Sequence, residues 1–390
     1  MSERWYWLDW LRVFAIGAIF LFHSSAAFSY FPWDIMNSAP SLGLTIFGLF
    51  ILGWVMPLFF VISGISAYFS LARRSASQFT KERVQRLMFP FVVGLLIILP
   101  VDAYYHAVSG GEFTGSFIQF ISGPYFTKFF PFTLNFSPTF FAGPDQGIYL
   151  WYLFWLFIFS VITVQFFKWL AKEENRNKLS KLYAVCNRRG GILLLAIPVV
   201  LVNIAAVPPY FILPNLLSGY GGWKIPTYFA FFVTAYVMAC NPQFEKSVEK
   251  SRLLALPLGI LASFLWIVAF LIAEADPSGI ARHYLSVSTW QALNGWCWVV
   301  VILGYGRKHL AFNCRFLQTS NELVLPFYVL HQSVIVAVAF YVVGLNLITI
   351  EKFLLIVITS FPIVVALLYP VSKISVLRFL FGMRTKARSS

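Results

Sequence analysis

Charged side chains are scarce in this sequence. Only 11% of the 390 residues are Asp, Glu, Lys or Arg, and 15 acidic residues stand against 29 basic ones. Soluble domains carry about a quarter charged residues, so this composition excludes an ordinary soluble protein. The chain is 59% hydrophobic, with a mean hydropathy of +0.76. Its repeated long apolar stretches predict an all-α, polytopic helical bundle integral to a membrane.

Cysteine is also sparse, and its spacing does not suit metal binding. The chain has four cysteines, which are Cys186, Cys240, Cys297 and Cys314. None of them forms a close pair or has a histidine at zinc-finger spacing. The sequence therefore predicts neither a metal site nor a disulfide.

The positive charge follows the order of the apolar stretches. We count ten candidate spans, at 10–31, 44–70, 87–106, 147–169, 191–207, 225–240, 253–273, 289–306, 322–344 and 350–370. With a cytoplasmic N-terminus, the outer loops contain only Lys128, Lys224, Arg282 and Lys352, and the other 25 of 29 basic residues lie on the inner side. This alternation obeys the positive-inside rule. It predicts two cytoplasmic termini, contact with membrane lipids, and no nucleic-acid partner despite the net charge of +14.

The chain shows no internal repeat and no appended soluble domain. We predict one membrane domain over 1–375 and a basic cytoplasmic tail over 376–390. The outer segment 107–146 contains ten Phe, and we expect it to fold back onto the membrane face, either as a lid or groove or only as an interfacial anchor. The Pro- and Gly-rich segment 208–222 is expected to be re-entrant or a broken helix.

Arg12 and His23 lie in the first apolar stretch, where ionisable side chains are costly. Such a residue within a membrane is a candidate functional residue. Eleven positions are about three helical turns, so the two side chains share one helix face and lie roughly 16 Å apart along its axis. His23 suits a general base. The alternative is a packed histidine that is hydrogen-bonded to a neighbouring helix.

A pair of arginines precedes the third span. Arg83 and Arg86 are three residues apart and are therefore neighbours on a helix. Two guanidinium groups at a membrane edge suit phosphate, through bidentate hydrogen bonds. The alternative is contact with lipid headgroups.

The ninth span contains a further polar group. Tyr328 and His331 share a helix face, and Glu322 lies about two turns earlier, near the predicted cytoplasmic edge. The alternative is a polar helix contact within the bundle. We interpret His106, at the end of the third span, as structural or solvated. His283 and His309 receive the same interpretation and are expected in short loops.

These motifs together resemble the acyltransferase 3 family of membrane acyltransferases, over about residues 5 to 382. The motifs are Leu8-Asp9-Trp10-Leu11-Arg12 followed by His23, Leu58 to Gly64 including Ser63, Arg83-x-x-Arg86-Leu87 with Pro90, Leu150 to Leu153, and Tyr328 to His331. Within the family the layout is most similar to the glucan biosynthesis protein C group. The chain departs from the family at Tyr149 and Gln332, where relatives often have histidine, and this bears on the acceptor more than on the chemistry.

The resemblance implies an enzyme that transfers an acyl group, of the acetyl or succinyl class, to a carbohydrate hydroxyl. The donor would be cytoplasmic acyl-CoA, acting as a co-substrate without any permanently bound cofactor. The acceptor would be an envelope glycan or glycolipid, and the location a bacterial inner membrane. A membrane transporter or flippase for an anionic solute is the alternative, because ten spans with buried ionisable residues would suit it as well.

The resemblance also implies roles for the site residues. His23 would act as the general base, with a covalent acyl-histidine as the less favoured variant, and Arg12 would orient the donor or stabilise charge near the thioester. Arg83 and Arg86 would bind the phosphates of acyl-CoA. The supporting residues are expected to be Asp9, Ser63, Glu322, Tyr328 and His331.

Overall fold

The structure is a computed structural model that describes residues 4–129, 149–206, 223–276 and 280–384. The described residues form helices and no β-strand. The α-helices are α1 (Tyr6–Ala26), α2 (Leu42–Leu52), α3 (Val55–Leu71), α4 (Ala76–Arg83), α5 (Phe89–Val93), α6 (Leu99–Ser109), α7 (Phe117–Ser122), α8 (Trp151–Ala171), α9 (Glu173–Asn177), α10 (Ser180–Cys186), α11 (Ala196–Ala205), α12 (Ile225–Ala239), α13 (Phe244–Ala275), α14 (Ile280–His309), α15 (Arg315–Val342), α16 (Thr349–Lys373) and α17 (Ser375–Leu380).

Seven helical stretches within the described residues are long and apolar enough to cross a membrane. They are Tyr6–Ala26, Leu42–Leu71, Ala76–Ser109, Trp151–Ala171, Phe244–Ala275, Arg315–Val342 and Thr349–Lys373. In hydrocarbon only a helix satisfies its own backbone groups, so long apolar sequence and continuous helix coincide. This confirms the polytopic helical class, while the count of ten spans and the cytoplasmic termini remain predictions.

The other three predicted spans are also helical. Two of them correspond to the shorter apolar helices Gly191–Ala205 and Ile225–Ala239. The third, 289–306, lies within α14, a helix of 30 residues. The structure corrects the expectation that His283 and His309 lie in loops, because α14 extends beyond its apolar part and includes both of them. His283 Nε2 lies 2.8 Å from Asp276 Oδ2, and His309 stacks on Tyr305.

The stretch Ala76–Ser109 is a helical run in which two π-helical turns separate three α-helices. The π turns are Val84–Met88, between α4 and α5, and Gly94–Ile98, between α5 and α6. Both Pro90 and Pro100 lie in the first turn of the α-helix that follows, where a missing N–H is tolerated. Single π turns often occur at functional sites. The first of these contains Arg86.

The helices divide into two compact units. Unit 1 comprises Met1–Ala15, Leu49–Lys81 and Ile158–Asn321, and unit 2 comprises Ile16–Gly48, Glu82–Phe157 and Glu322–Ser390. In unit 1, α3 packs closely on α12: a Cβ added at Gly64 would lie 2.3 Å from the carbonyl oxygen of Phe232.

In unit 2, the first part of the outer segment folds back onto the third span. Ala107, Phe120 and Tyr125 form a buried cluster, and the Tyr125 hydroxyl donates to the carbonyl oxygen of Leu95 at 2.6 Å. This packing covers the segment 107–146 as far as residue 129, and its placement on the outer membrane face remains a prediction. The remainder of that segment, and the segment 208–222, lie outside the described residues.

The C-terminal helix α17 is also part of unit 2. Arg378 on α17 is only 4% exposed and donates to the carbonyl oxygen of Ser372 at 3.0 Å. The chain is therefore packed beyond residue 375. The proposed tail over 376–390 remains a prediction, and its last six residues lie outside the described part.

Candidate active site

Arg12 on α1 is held by a carboxylate one turn earlier. Its Nη1 lies 2.6 Å from Asp9 Oδ1, and its other terminal nitrogen donates to the hydroxyl of Ser66. Asp9 is only 5% exposed and also pairs with Arg4, at 2.7 Å. A buried charge is tolerated when it is paired and hydrogen-bonded, so Asp9 acts as the counter-ion that fixes Arg12.

The helix that contains Arg12 and His23 is unbroken from Tyr6 to Ala26. An eleven-residue separation on a continuous helix falls within about 20° of three full turns. The prediction that the two side chains share a helix face is therefore confirmed. Arg12 belongs to unit 1 and His23 to unit 2, so their surroundings are described separately.

His23 faces a second histidine within unit 2. The ring centroids of His23 and His331 are 5.1 Å apart, with the two planes at 76°. Trp33 completes the aromatic surroundings at 6.5 Å. The Nδ1 atom of His23 is shielded from solvent and has no hydrogen-bond partner within the described residues. This arrangement leaves a histidine nitrogen available for a reacting group.

His331 lies on α15 and is completely buried. Its Nδ1 is 2.8 Å from the carbonyl oxygen of Tyr328. A carbonyl oxygen only accepts, so Nδ1 carries the proton and Nε2 of the neutral ring carries the lone pair. No partner for Nε2 lies within the described residues. The hydrogen bond from His331 to the carbonyl oxygen of Tyr328 thus fixes which ring nitrogen of His331 carries the proton.

Tyr149 and Tyr328 make reciprocal hydrogen bonds that hold α15 in place. The Tyr328 hydroxyl donates to the carbonyl oxygen of Tyr149, and the Tyr149 hydroxyl donates to the carbonyl oxygen of Val329. The two hydroxyls therefore satisfy backbone acceptors on each other's segments. Tyr149, a departure from the family pattern, is a structural partner of the helix that positions His331.

The two arginines lie where α4 meets the first π turn. Both side chains are half-buried, and Arg86 Nε lies 3.2 Å from Glu82 Oε1. Gly382, with φ of +70°, approaches the same turn so closely that an added Cβ would lie 2.7 Å from the Arg86 carbonyl oxygen. The C-terminal segment thus packs on the arginine turn and holds its backbone.

Glu322 belongs to unit 2 and Ser63 to unit 1. Glu322 Oε2 lies 3.4 Å from Arg378 Nη2, so this carboxylate pairs with the C-terminal helix. Ser63 lies half-buried on α3 in unit 1, the unit that contains Arg12. Its predicted supporting role, like the roles of all the predicted site residues, remains a prediction.

A polar group next to the histidine pair was not expected from the sequence. Gln332 Nε2 lies 3.4 Å from Oδ2 of both Asp34 and Asp102, and His106 Nδ1 lies 3.4 Å from Asp34 Oδ1. His106, which we interpreted as structural or solvated, thus faces a carboxylate. One signal was present: Asp102 is a lone carboxylate within the third apolar stretch.

No arrangement suited to a metal ion occurs in the described ranges, where three or more His, Cys, Asp or Glu side chains nowhere converge. The site residues themselves offer imidazole, guanidinium and carboxylate groups. A buried imidazole with an open nitrogen can accept a proton, and paired guanidinium groups can bind phosphate oxygens.

Comparisons with known proteins identify the family of the chain. The family model described as an acyltransferase domain, acyltransferase 3, matches residues 5–369. The chain is 26% identical over 337 residues to "Glucans biosynthesis protein C" of Shigella dysenteriae serotype 1 (strain Sd197), which covers 85% of this chain and 82% of that protein. It is 25% identical to the protein of that name from Escherichia coli O81 (strain ED1a), with the same coverage. No solved structure matches the chain. The chain therefore belongs to the acyltransferase 3 family and is a multi-pass membrane acyltransferase.

Proposed function

We propose that this acyltransferase moves an acetyl- or succinyl-class group from cytoplasmic acyl-CoA to a hydroxyl of an envelope carbohydrate at a bacterial inner membrane. The observation that carries the proposal is the pairing of His23 with His331, in which each ring has a shielded nitrogen without a partner in the described residues. Burying an unsatisfied polar group is costly. Two neighbouring histidines with unpartnered nitrogens in a membrane protein are better explained by a site that binds reacting groups than by a packing contact.

His23 is the general base of the proposed reaction. It takes the proton from the acceptor hydroxyl while that oxygen attacks the carbonyl carbon of the thioester. The new C–O ester bond forms, the C–S bond breaks, and the sulfur of coenzyme A leaves. The imidazolium of His23 then gives its proton to this sulfur, which restores the neutral ring. In the variant with a covalent acyl-histidine, the ring nitrogen itself attacks the thioester.

Arg83 and Arg86 bind the phosphates of the donor in this proposal. They are neighbours on one helical turn, and Glu82 pairs with Arg86. The positive-inside pattern favours a cytoplasmic location for this turn. Arg12, fixed by Asp9, orients the donor or stabilises the charge that develops on the thioester oxygen.

The relatives support the choice of acceptor. They bear the name "Glucans biosynthesis protein C", and the chain spans 82% of their length. A glucan offers many hydroxyl groups of similar chemistry. We therefore take glucose oligosaccharides as the first acceptors to test.

The first experiment tests the base. The protein is reconstituted in nanodiscs with radiolabelled acetyl-CoA or succinyl-CoA and a panel of glucose oligosaccharides, and ester formation is measured. We expect His23→Ala to lower kcat by about 10²- to 10⁴-fold, the usual contribution of a general base. His309→Ala, which removes an exposed imidazole at the end of α14, is the matched control. Full transfer by the His23→Ala protein would eliminate the general-base role.

The second experiment tests the donor site. Replacing both Arg83 and Arg86 with Gln should raise the KM for acyl-CoA by about tenfold or more, because hydrogen bonds to charged groups are each worth ~1.5–3 kcal/mol. The acceptor KM should change little. Arg73→Gln, at an exposed arginine before α4, serves as the control for lost positive charge. Unchanged donor affinity in the double variant would contradict phosphate binding by this pair.

A further inference from the structure

Gln332 joins two carboxylates that are distant in sequence. Its Nε2 lies 3.4 Å from Asp34 Oδ2 and 3.4 Å from Asp102 Oδ2. His106 faces the same Asp34 from the other side, at 3.4 Å. All four residues belong to unit 2. We call Asp34, Asp102, His106 and Gln332 the carboxylate–amide cluster.

Two acceptor atoms of this cluster are buried without a donor. Asp102 and Gln332 are each 2% exposed, and neither Asp102 Oδ1 nor Gln332 Oε1 has a hydrogen-bond partner among the residues that the structure describes. Nearly all buried side-chain oxygens are hydrogen-bonded in native proteins. Two open acceptors in one cluster therefore call for a ligand with hydroxyl or N–H donors.

The cluster and the proposed reaction centre share two chain segments. Gln332 directly follows His331, and Asp34 directly follows Trp33, whose ring lies 6.5 Å from that of His23. A sugar whose reacting hydroxyl reaches His23 would extend from there along these segments. The indole of Trp33 also offers an apolar face to the C–H side of a sugar ring.

The cluster and the proposed donor site lie at opposite ends of one helical run. Arg83 and Arg86 lie at the beginning of the helical run Ala76–Ser109, whereas Asp102 and His106 lie near its end. The guanidinium groups are donors that suit phosphate oxygens, and the open oxygens of the cluster are acceptors that suit hydroxyl groups. The run thus has a basic end suited to an anion and an end with open acceptors suited to a polyol.

We propose that the carboxylate–amide cluster is the subsite that binds the carbohydrate acceptor, through hydroxyl groups adjacent to the one that is acylated. Asp102 Oδ1 and Gln332 Oε1 accept hydrogen bonds from neighbouring hydroxyls of one sugar ring. The Gln332 amide holds both carboxylates, and His106 faces Asp34. The subsite rests on the proposed function for the identity of the transferred group. Binding of the sugar requires no donor and can be measured without one.

The test compares acceptor binding with acceptor turnover. Binding of glucose oligosaccharides to protein in nanodiscs, without acyl-CoA, is measured by saturation-transfer difference NMR, and the acceptor KM is measured separately in the transfer assay. Asp102→Asn removes the carboxylate, and Gln332→Met removes the amide at nearly equal volume. Each variant should weaken acceptor binding and raise the acceptor KM by about tenfold, the effect of losing one hydrogen bond to a buried group. Donor affinity should not change.

Glu112→Gln is the matched control, because Glu112 is an exposed carboxylate three residues beyond the end of α6. Retained acyl-CoA affinity and an unchanged melting temperature show that the variants are folded. Wild-type acceptor affinity in both folded variants would overturn the subsite, as would an absence of oligosaccharide binding by the wild-type protein. Oligosaccharide binding without any transfer from acyl-CoA would instead contradict the proposed function and leave the subsite standing.

Discussion

The imidazole ring of His331 meets that of His23 edge-on, with 5.1 Å between the ring centroids. The Nδ1 proton of His331 is committed to the carbonyl oxygen of Tyr328, so the lone pair on Nε2 is the free one. His331 is therefore suited to hold a neighbouring group, either protonated His23 or the acceptor hydroxyl, by accepting a hydrogen bond. In the proposed reaction we expect it to position the base and to stabilise the charge that His23 gains.

We expect loss of the His331 nitrogens to slow transfer by about 10- to 100-fold, less than loss of the base itself, since removal of one hydrogen bond to a charged group costs ~1.5–3 kcal/mol. His331→Phe keeps an aromatic ring stacked on Phe327, which lies 5.9 Å away, and removes only the nitrogens. His331→Asn offers a hydrogen-bonding group on a smaller side chain. The measurements are kcat and its pH profile for both variants.

If His331→Phe matches the wild-type kcat, the ring serves packing alone. Partial recovery in His331→Asn, together with a pH profile that differs from that of wild type, would support the positioning role. Melting temperatures of the three proteins in nanodiscs show whether packing has changed.

Tyr149→Phe tests the reciprocal tyrosine hydrogen bonds. The substitution leaves the carbonyl oxygen of Val329, which is fully buried, without the hydroxyl of Tyr149. We expect a loss of ~0.5–1.5 kcal/mol of stability, the usual net contribution of one hydrogen bond, and a lower kcat because α15 also holds His331. The melting temperature and kcat are measured together. An unchanged melting temperature would show that these bonds add little to the packing of α15.

Local pattern was sufficient to predict several parts of this molecule. Helical periodicity placed Arg12 and His23 on one face because α1 is unbroken, and the adjacency of Arg83 and Arg86 followed from their spacing. The long apolar stretches became helices because hydrocarbon offers the backbone no other partner. These features depend only on residues close together in the chain.

The contacts that complete the site are non-local. The pairing of His23 with His331 joins helices about 300 residues apart, and no spacing rule predicts which helices of a bundle pack together. Gln332 looked like a departure from the family pattern, and its bridge between Asp34 and Asp102 became visible only in three dimensions. His106 was assigned to structure or solvent because its partner, Asp34, lies in a connection far earlier in the chain.

Gly64→Ala should disrupt the close approach of α3 to α12. The added Cβ would lie 2.3 Å from the backbone oxygen of Phe232, and a backbone atom cannot move aside without shifting its helix. We expect a loss of ~1–3 kcal/mol, as in other overpacked sites. Gly17→Ala on α1 is the control, because its Cβ would meet nothing within 4 Å. Removing a helix-interior glycine there should stabilise the protein by ~0.5–1 kcal/mol. Thermal unfolding in nanodiscs is measured for both variants. A Gly64→Ala protein with the same melting temperature as the Gly17→Ala protein would refute the close-packing argument.

Lys224 makes the stability of unit 1 depend on pH. Its Nζ donates to the carbonyl oxygen of Asn203 at 2.7 Å, to the Tyr284 hydroxyl at 2.6 Å and to the Ser288 hydroxyl at 3.1 Å. These three partners are uncharged. Burial, with no counter-ion among the described residues, disfavours the ammonium form and lowers the pKa of Lys224 from 10.5 to about 8.

The sign of the effect follows from proton binding. Between pH 8 and 10.5 the unfolded chain keeps the Lys224 proton while the folded protein releases it, so stability rises with pH across this window. Below pH 8 the cost of the buried ammonium is fully present. We expect the melting temperature of wild type, relative to Lys224→Met, to increase as the pH rises from 8 towards 10.5, because the methionine variant has no proton to release. Using the difference between the two proteins cancels the titration of all other groups. If the melting temperatures of the two proteins changed by the same amount with pH across this window, Lys224 would not be the source of the pH dependence.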